Sequence, residues 1–378
     1  MKKKTILFIL WMALLSCHHQ TGRHDDKSGN WPIFRGNPSL TGYTDVPLPD
    51  KPALLWSFKS DVYTKSSPIV YNRIAYWCDR RGRMYGVNTD GVQVFDYSFE
   101  TAVDATPMAY DSVLYIGRID GCLSAVSITN PKLLWNFETF GQISASPNQI
   151  TFDNKNAIIF GSYDNYLYCI DSRDGKEISR FQSGYYINGA VAQNHRYVAF
   201  GGCDGWFRVV DGVSGTQTDS LDIGVYIPAS PAIRNNDCYI ADHSGNVYEI
   251  KLAQGHIVSH KKIVEPQDRN SAFVSVPAVS DKMVYLVSDD RKLYALNRKE
   301  GTATWKYLLK GDTGESSPVI CKDKVIVCTR TGIVSIHDAQ KGDLLWEYDT
   351  GEQIIASPAV IPGYFYILTF KGTLFCFH

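Results

Sequence analysis

Neither sign of charge dominates the 378-residue chain, in which 38 Lys and Arg stand against 39 Asp and Glu. That balance excludes the strongly basic face that a nucleic-acid footprint needs. The apolar run Ile6 to Leu15 is only ten residues long, too short to cross a bilayer. No stretch shows sustained helical periodicity and no βαβ alternation occurs, which excludes Rossmann and (β/α)-barrel folds. No two cysteines are adjacent and no Cys-x-x-Cys-His for a haem is present. The nine histidines are scattered, and no spacing among them and the acids describes a nucleophile, a base and an acid. At 44% hydrophobic residues, however, the chain has ample material for a core.

The N-terminus reads as an export signal. Lys2, Lys3 and Lys4 precede the apolar run, which ends in Leu14-Leu15-Ser16-Cys17. This ending looks like a lipobox, so residues 1–16 are expected to be removed and Cys17 to become an acylated N-terminus. Two or three acyl chains hold a protein stably on a membrane where one does not. Residues 17–30 are polar, with Gly22, Ser28 and Gly29, the composition of a flexible tether. Eight cysteines remain. Most lie in apolar strand-like runs such as Leu167-Tyr168-Cys169-Ile170, where cysteine serves as a small buried hydrophobe, so mostly free thiols are expected.

Residues 31–378 repeat with a period near 40. One marker is a Ser-Pro-like pair opening a short apolar strand, with prolines at 68, 107, 147, 231, 277, 318 and 358. Val191 takes the place in the fourth copy. A second marker is a polar turn before an alternating strand, as in Arg81-Gly82-Arg83-Met84-Tyr85, Asp120-Gly121-Cys122-Leu123 and Lys371-Gly372-Thr373-Leu374. Eight such copies occur, and their glycines supply the positive φ of a tight hairpin. A third marker is a glycine turn leading to an aromatic strand, as in Asp174-Gly175-Lys176 before Phe181 and Glu300-Gly301-Thr302 before Trp305.

Each unit therefore reads as four short hairpin-linked strands, and the chain as an all-β, eight-bladed β-propeller. The last copy ends at His378 without its own tryptophan strand. Ala53-Leu54-Leu55-Trp56-Ser57-Phe58 matches Leu133-Leu134-Trp135-Asn136-Phe137 but precedes the first Ser-Pro unit. It is expected to complete the eighth blade as its outer strand and so remove an exposed edge.

These units resemble the pyrroloquinoline-quinone-like repeat, most closely in Lys292-Leu293-Tyr294-Ala295-Leu296-Asn297 through Gly301 to Trp305. Trp31-Pro32-Ile33-Phe34-Arg35-Gly36 resembles the lead-in found before many such propellers. Two branches follow from the resemblance. Quinoprotein dehydrogenases hold the quinone and Ca²⁺ in the channel mouth; the alcohol enzymes commonly cap the quinone with an adjacent-cysteine disulfide, and the branch carries long insertions that this chain lacks. The other branch is the propeller lipoproteins of the outer-membrane β-barrel assembly machinery, which combine a lipobox, a short tether and one compact ring. The resemblance implies a non-enzymatic outer-membrane lipoprotein, monomeric, with an envelope protein as partner and no cofactor. A quinone-dependent dehydrogenase, or a glycan or small-ligand sensor, is the alternative.

Loops just before each innermost strand form a propeller's mouth. Counting three and five residues back from the proline positions gives the candidate binding residues Tyr63, Lys65, Asp104, Gln142, Tyr186, Asn188, Tyr226, Glu315 and Gln353. No catalytic residue and no metal ligand is expected.

Overall fold

The computed structural model describes residues 29–153, 155–264 and 272–378; the signal, Cys17 and the tether up to residue 28 lie outside them. The described residues form eight antiparallel sheets. Blade 1 comprises Ile69–Tyr71, Ile74–Cys78, Arg83–Asn88 and Gln93–Ser98, hydrogen-bonded in that order. Blades 2 to 8 repeat the plan, their innermost strands beginning at Met108, Asn148, Ala192, Ala232, Ala278, Val319 and Ala359.

Burial explains why these sequences make these strands. The third strand of each blade is sandwiched between neighbouring blades, so Leu167, Tyr168, Cys169 and Ile170 are buried without alternation. The fourth strand lies at the outer edge and alternates, as in Leu133–Glu138, where every second residue from Trp135 on turns inward. Its tryptophan packs under the next blade's glycine turn. A Cβ on Gly175 would lie 2.7 Å from the Trp135 ring, and one on Gly342 would lie 2.7 Å from Trp305. All eight described cysteines are free, and six of them are buried.

The Ser-Pro marker joins blade to blade. The amide of Ser67 donates to the hydroxyl of Thr106 at 2.9 Å, Val276 to Ser317 at 2.9 Å, and Ser317 to Ser357 at 3.1 Å. The hydroxyls of Thr106, Ser317 and Ser357, each just before a proline, thus accept the buried N–H of their counterparts one blade earlier.

Closure follows the expected route. Leu54–Lys59 pairs antiparallel with Thr373–Phe377, placing Trp56 opposite Cys376, and the Ala53 and His378 backbones exchange hydrogen bonds. The Trp56 indole continues into blade 1, donating to the Thr89 carbonyl at 2.8 Å.

One blade departs from four strands. The segment after Trp31 crosses beneath the ring and meets one innermost strand after another: Trp31 bridges Val70, while the Pro32, Ser39, Thr41 and Gly42 carbonyls accept from Ala109, Ile233, Val279 and Ile320. It ends as Tyr43–Thr44, a short parallel fifth strand on blade 7. These irregular bonds satisfy inner-strand amides that would otherwise be orphaned in the channel.

Candidate functional site at the channel mouth

Two sets of turns build the mouth. One set is the loops entering each innermost strand, which carry the residues found by counting back from the prolines. The other is the hairpins between second and third strands, specifically the residue just before the polar turn, among them Arg80, Tyr163, His243, Asp289, Arg330 and Phe370. The backbone fastens the sets together. Arg80 donates to the Tyr63 carbonyl at 2.9 Å, Tyr163 to Gln142 at 3.0 Å, His243 to Tyr226 at 2.9 Å and Phe370 to Gln353 at 2.7 Å.

The two sets surround a cavity of about 650 Å³ floored by Phe34 of the crossing segment. Lys65, Asp104, Gln142, Asn188, Tyr226 and Glu315 line it, joined by Tyr163, Asp289 and Arg330. Tyr63, Tyr186 and Gln353 stand outside the cavity wall. Tyr63 is exposed and packs on Phe370 with ring centroids 5.1 Å apart, and Tyr186 stacks on Tyr163 at 5.0 Å with nearly parallel planes. Counting back from the prolines misses Tyr163, Asp289 and Arg330. One step back from the second marker finds all three.

Charge in the funnel is uneven. Asp104 sits between Lys65, 3.6 Å away, and Arg80, 3.0 Å away. Asp289 has no ion-pair partner among the described residues, and burial raises its carboxyl above the usual range, opposed by the nearby His243. At blades 3 and 4 Tyr163 donates to the Asn188 amide oxygen at 2.6 Å. Burial also raises the Tyr226 phenol. One wall is therefore ionic, the other phenol and amide, an arrangement suited to polar or peptide-like groups. Among the described residues no three His, Cys, Asp or Glu side chains gather as a metal site.

Outside the funnel, blades 3 and 4 raise aromatic side chains on the mouth face. Phe140 is 96% exposed, and its amide is tied to Asp164 at 3.0 Å, beside Tyr163. Tyr185 and Tyr186 contact each other at 4.5 Å, and Trp206 stands on the adjoining hairpin. Below the floor, Arg35 is fully buried. Burial lowers its guanidinium to about 9, Nε and Nη1 make no hydrogen bond, and Gly42 leaves the room it occupies.

The family model described as outer membrane protein assembly factor BamB matches residues 49–185, 120–272 and 266–378. The chain belongs to this family. Among relatives, the outer membrane protein assembly factor BamB of Shewanella oneidensis is 20% identical over 69% of this chain and 67% of its own length. That of Legionella pneumophila is 26% identical, but the match spans 42% of this chain and only 40% of the relative. The crystal structure of BamB from Moraxella catarrhalis superposes with a TM-score of 0.73 at 18% identity, covering 86% of this chain and 99% of that one. A quinohemoprotein alcohol dehydrogenase from Comamonas testosteroni reaches 0.76 at 14% identity, covering 93% and 80%. At such identities the structural likeness shows the fold alone, and that fold serves an assembly factor and an oxidoreductase alike.

Proposed function

We propose that this chain is a non-enzymatic scaffold of the cell envelope, anchored at the outer membrane through Cys17, whose mouth face holds an extended or looped segment of another envelope protein. The match to the assembly-factor family, running from residue 49 to the C-terminal residue, carries the reading. The mouth supports it chemically. Rigid aromatic side chains at Phe140, Tyr185, Tyr186 and Trp206 supply contact area at low entropic cost, and the adjoining polar funnel can receive backbone or side-chain polar groups.

Site-specific photo-crosslinking in the native membrane tests it. A crosslinker at Phe140 or Tyr186 is expected to trap one outer-membrane assembly protein, whereas one at Thr216 on the opposite rim traps none. Phe140→Ser with Tyr186→Ser is expected to weaken that complex at least about tenfold, as loss of central aromatic anchors does. Crosslinks of equal yield from both faces would refute the reading.

A quinone-dependent dehydrogenase is the second reading, favoured by the likeness to the Comamonas enzyme and by the open polar funnel. Under it, Asp104, Asp289 and Glu315 would be the oxygen donors nearest a cation, and Asp104 is already engaged by Lys65 and Arg80. Saturable dye-linked oxidation of an alcohol or aldose after loading with pyrroloquinoline quinone and Ca²⁺ would establish this second reading in place of the first.

A further inference from the structure

The fourth strand of every blade begins at the rim opposite the mouth, so equivalent positions can be compared around the ring. Four adjacent blades carry exposed aliphatic side chains there: Leu345 on blade 7, Leu55 on blade 8, Val92 on blade 1 and Leu134 on blade 2, from 43% to 55% exposed. Each has a second exposed aliphatic residue within two positions. Elsewhere the same positions hold one exposed aliphatic residue, Ile178 on blade 3 and Val258 on blade 5, or none, with Gln217 and Thr218 on blade 4 and Ala303 and Thr304 on blade 6. Paired exposed aliphatic side chains are therefore confined to four adjacent blades, which form a crescent on one side.

The chain enters the fold at the middle of that crescent. Asn30 accepts the Asn72 amide at 2.8 Å in the lower turn of blade 1, and Gly29 lies beside Pro362 in the lower turn of blade 8. Residues 18–28 can reach at most about 40 Å even fully extended, so an acyl group on Cys17 keeps the chain's point of entry within that distance of the bilayer. Charge at the crescent is mixed, with Lys51, Lys132 and Lys341 beside Asp50, Asp90 and Asp343, so apolar contact decides the orientation rather than attraction to anionic headgroups.

We infer that the lower rim of blades 7, 8, 1 and 2 rests on the lipid surface, with its aliphatic side chains at the headgroup–acyl boundary, and that the mouth faces away from the membrane. This rests on the reading of Cys17 as the acylated residue. Tether and crescent act together: the anchor confines the protein to the surface and the apolar rim selects which face turns down.

The test uses the full-length acylated protein in phosphatidylethanolamine/phosphatidylglycerol vesicles containing bromo-acyl lipid. The half-buried Cys122 and Cys203 are replaced by Ser, and a fluorophore is placed on Val92→Cys, Leu134→Cys, Gln217→Cys or Tyr186→Cys. Quenching at 92 and 134 is expected to exceed that at 217 and 186 by at least about twofold. Changing Leu54, Leu55, Leu344 and Leu345 to Ser should remove the excess at 92. Uniform quenching overturns the orientation, as does a label at 92 shielded from lipid in proportion to protein concentration, which would mark a second copy as the occupant. Palmitate incorporation is scored separately. Its absence overturns the anchor reading and the orientation with it; incorporation with uniform quenching overturns the orientation alone.

Discussion

The amide of Ser357 donates to the hydroxyl of Ser67 at 2.9 Å across 290 positions of the chain, and both residues are buried. This bond ties the last blade to the first on the channel side. Ser67→Ala leaves the Ser357 N–H without that acceptor in a dry site, at an expected cost of about 1 to 3 kcal/mol. Thr304→Ala, on an exposed outer strand, should change stability by less than about 0.5 kcal/mol. Urea melts of the two variants measure the difference, and equal midpoints would mean that this hydroxyl does not bind the last blade to the first.

Closure on the outer side depends on Trp56. Its ring packs on Tyr366 at 6.1 Å, and its indole bonds blade 1. Because the side chain is only partly buried, Trp56→Ala should fall near the lower end of the range for emptying an aromatic site, about 3 kcal/mol. Deleting residues 18–29 should spare the fold, while deleting 18–60 removes the whole outer strand of blade 8. The longer truncation is expected to aggregate through the bared edge. Equal melting of the two truncations would show that the N-terminal strand is dispensable for closure.

The docking of tryptophan under glycine can be separated from backbone strain by comparing two glycines. Gly175 and Gly363 both have positive φ, at 71° and 83°, but a Cβ on Gly175 meets Trp135 whereas one on Gly363 meets nothing within 4 Å. Gly363→Ala should therefore cost only the left-handed penalty, about 1 to 2 kcal/mol. Gly175→Ala should cost distinctly more, and adding Trp135→Leu should recover part of the excess, as coupled neighbours do. Equal losses would place the whole role of Gly175 in its backbone.

The ring was legible in the sequence because each of its devices is local and repeated. Prolines near 40 residues apart, polar turns and glycine-aromatic pairs recur in register, and the unpaired strand at Leu54–Phe58 stood out by matching Leu133–Phe137 in the wrong place. The crossing segment was not legible as such. Trp31 to Thr44 gives one or two hydrogen bonds to each of several blades, and such irregular spacing leaves no period in the sequence, so its extra strand on blade 7 and the Phe34 floor emerged only in three dimensions. At the mouth, counting back from the prolines reached six cavity residues because those loops are equal in length. It missed Tyr163, Asp289 and Arg330, which arrive from the other hairpin set.

Buried thiols and phenols set the response to alkali. Burial raises Cys169, Cys328 and Cys376 from 9.0 to about 12, and Cys78, Cys238 and Cys321 beyond the ordinary range. It raises the Tyr85 and Tyr239 phenols from 10.0 to about 12, and Tyr76, Tyr115, Tyr285 and Tyr366 further. Below about pH 8 these groups are protonated in both folded and unfolded chains and contribute no pH dependence. Between about pH 8 and 12 the unfolded chain releases their protons while the folded one retains them, so stability must fall as pH rises. Arg35 acts in the opposite sense. Its guanidinium is lowered to about 9 by burial, and a folded state that sheds this proton gains stability over the same window. One group opposes many, so the urea midpoint is expected to stay level from pH 7 to about 8 and then to decline with increasing steepness. Arg35→Met removes the opposing contribution and should steepen that decline. A midpoint level through pH 11 would contradict the burial of these thiols and phenols, and an unchanged slope in Arg35→Met would show that the guanidinium is solvated rather than sealed beneath Phe34.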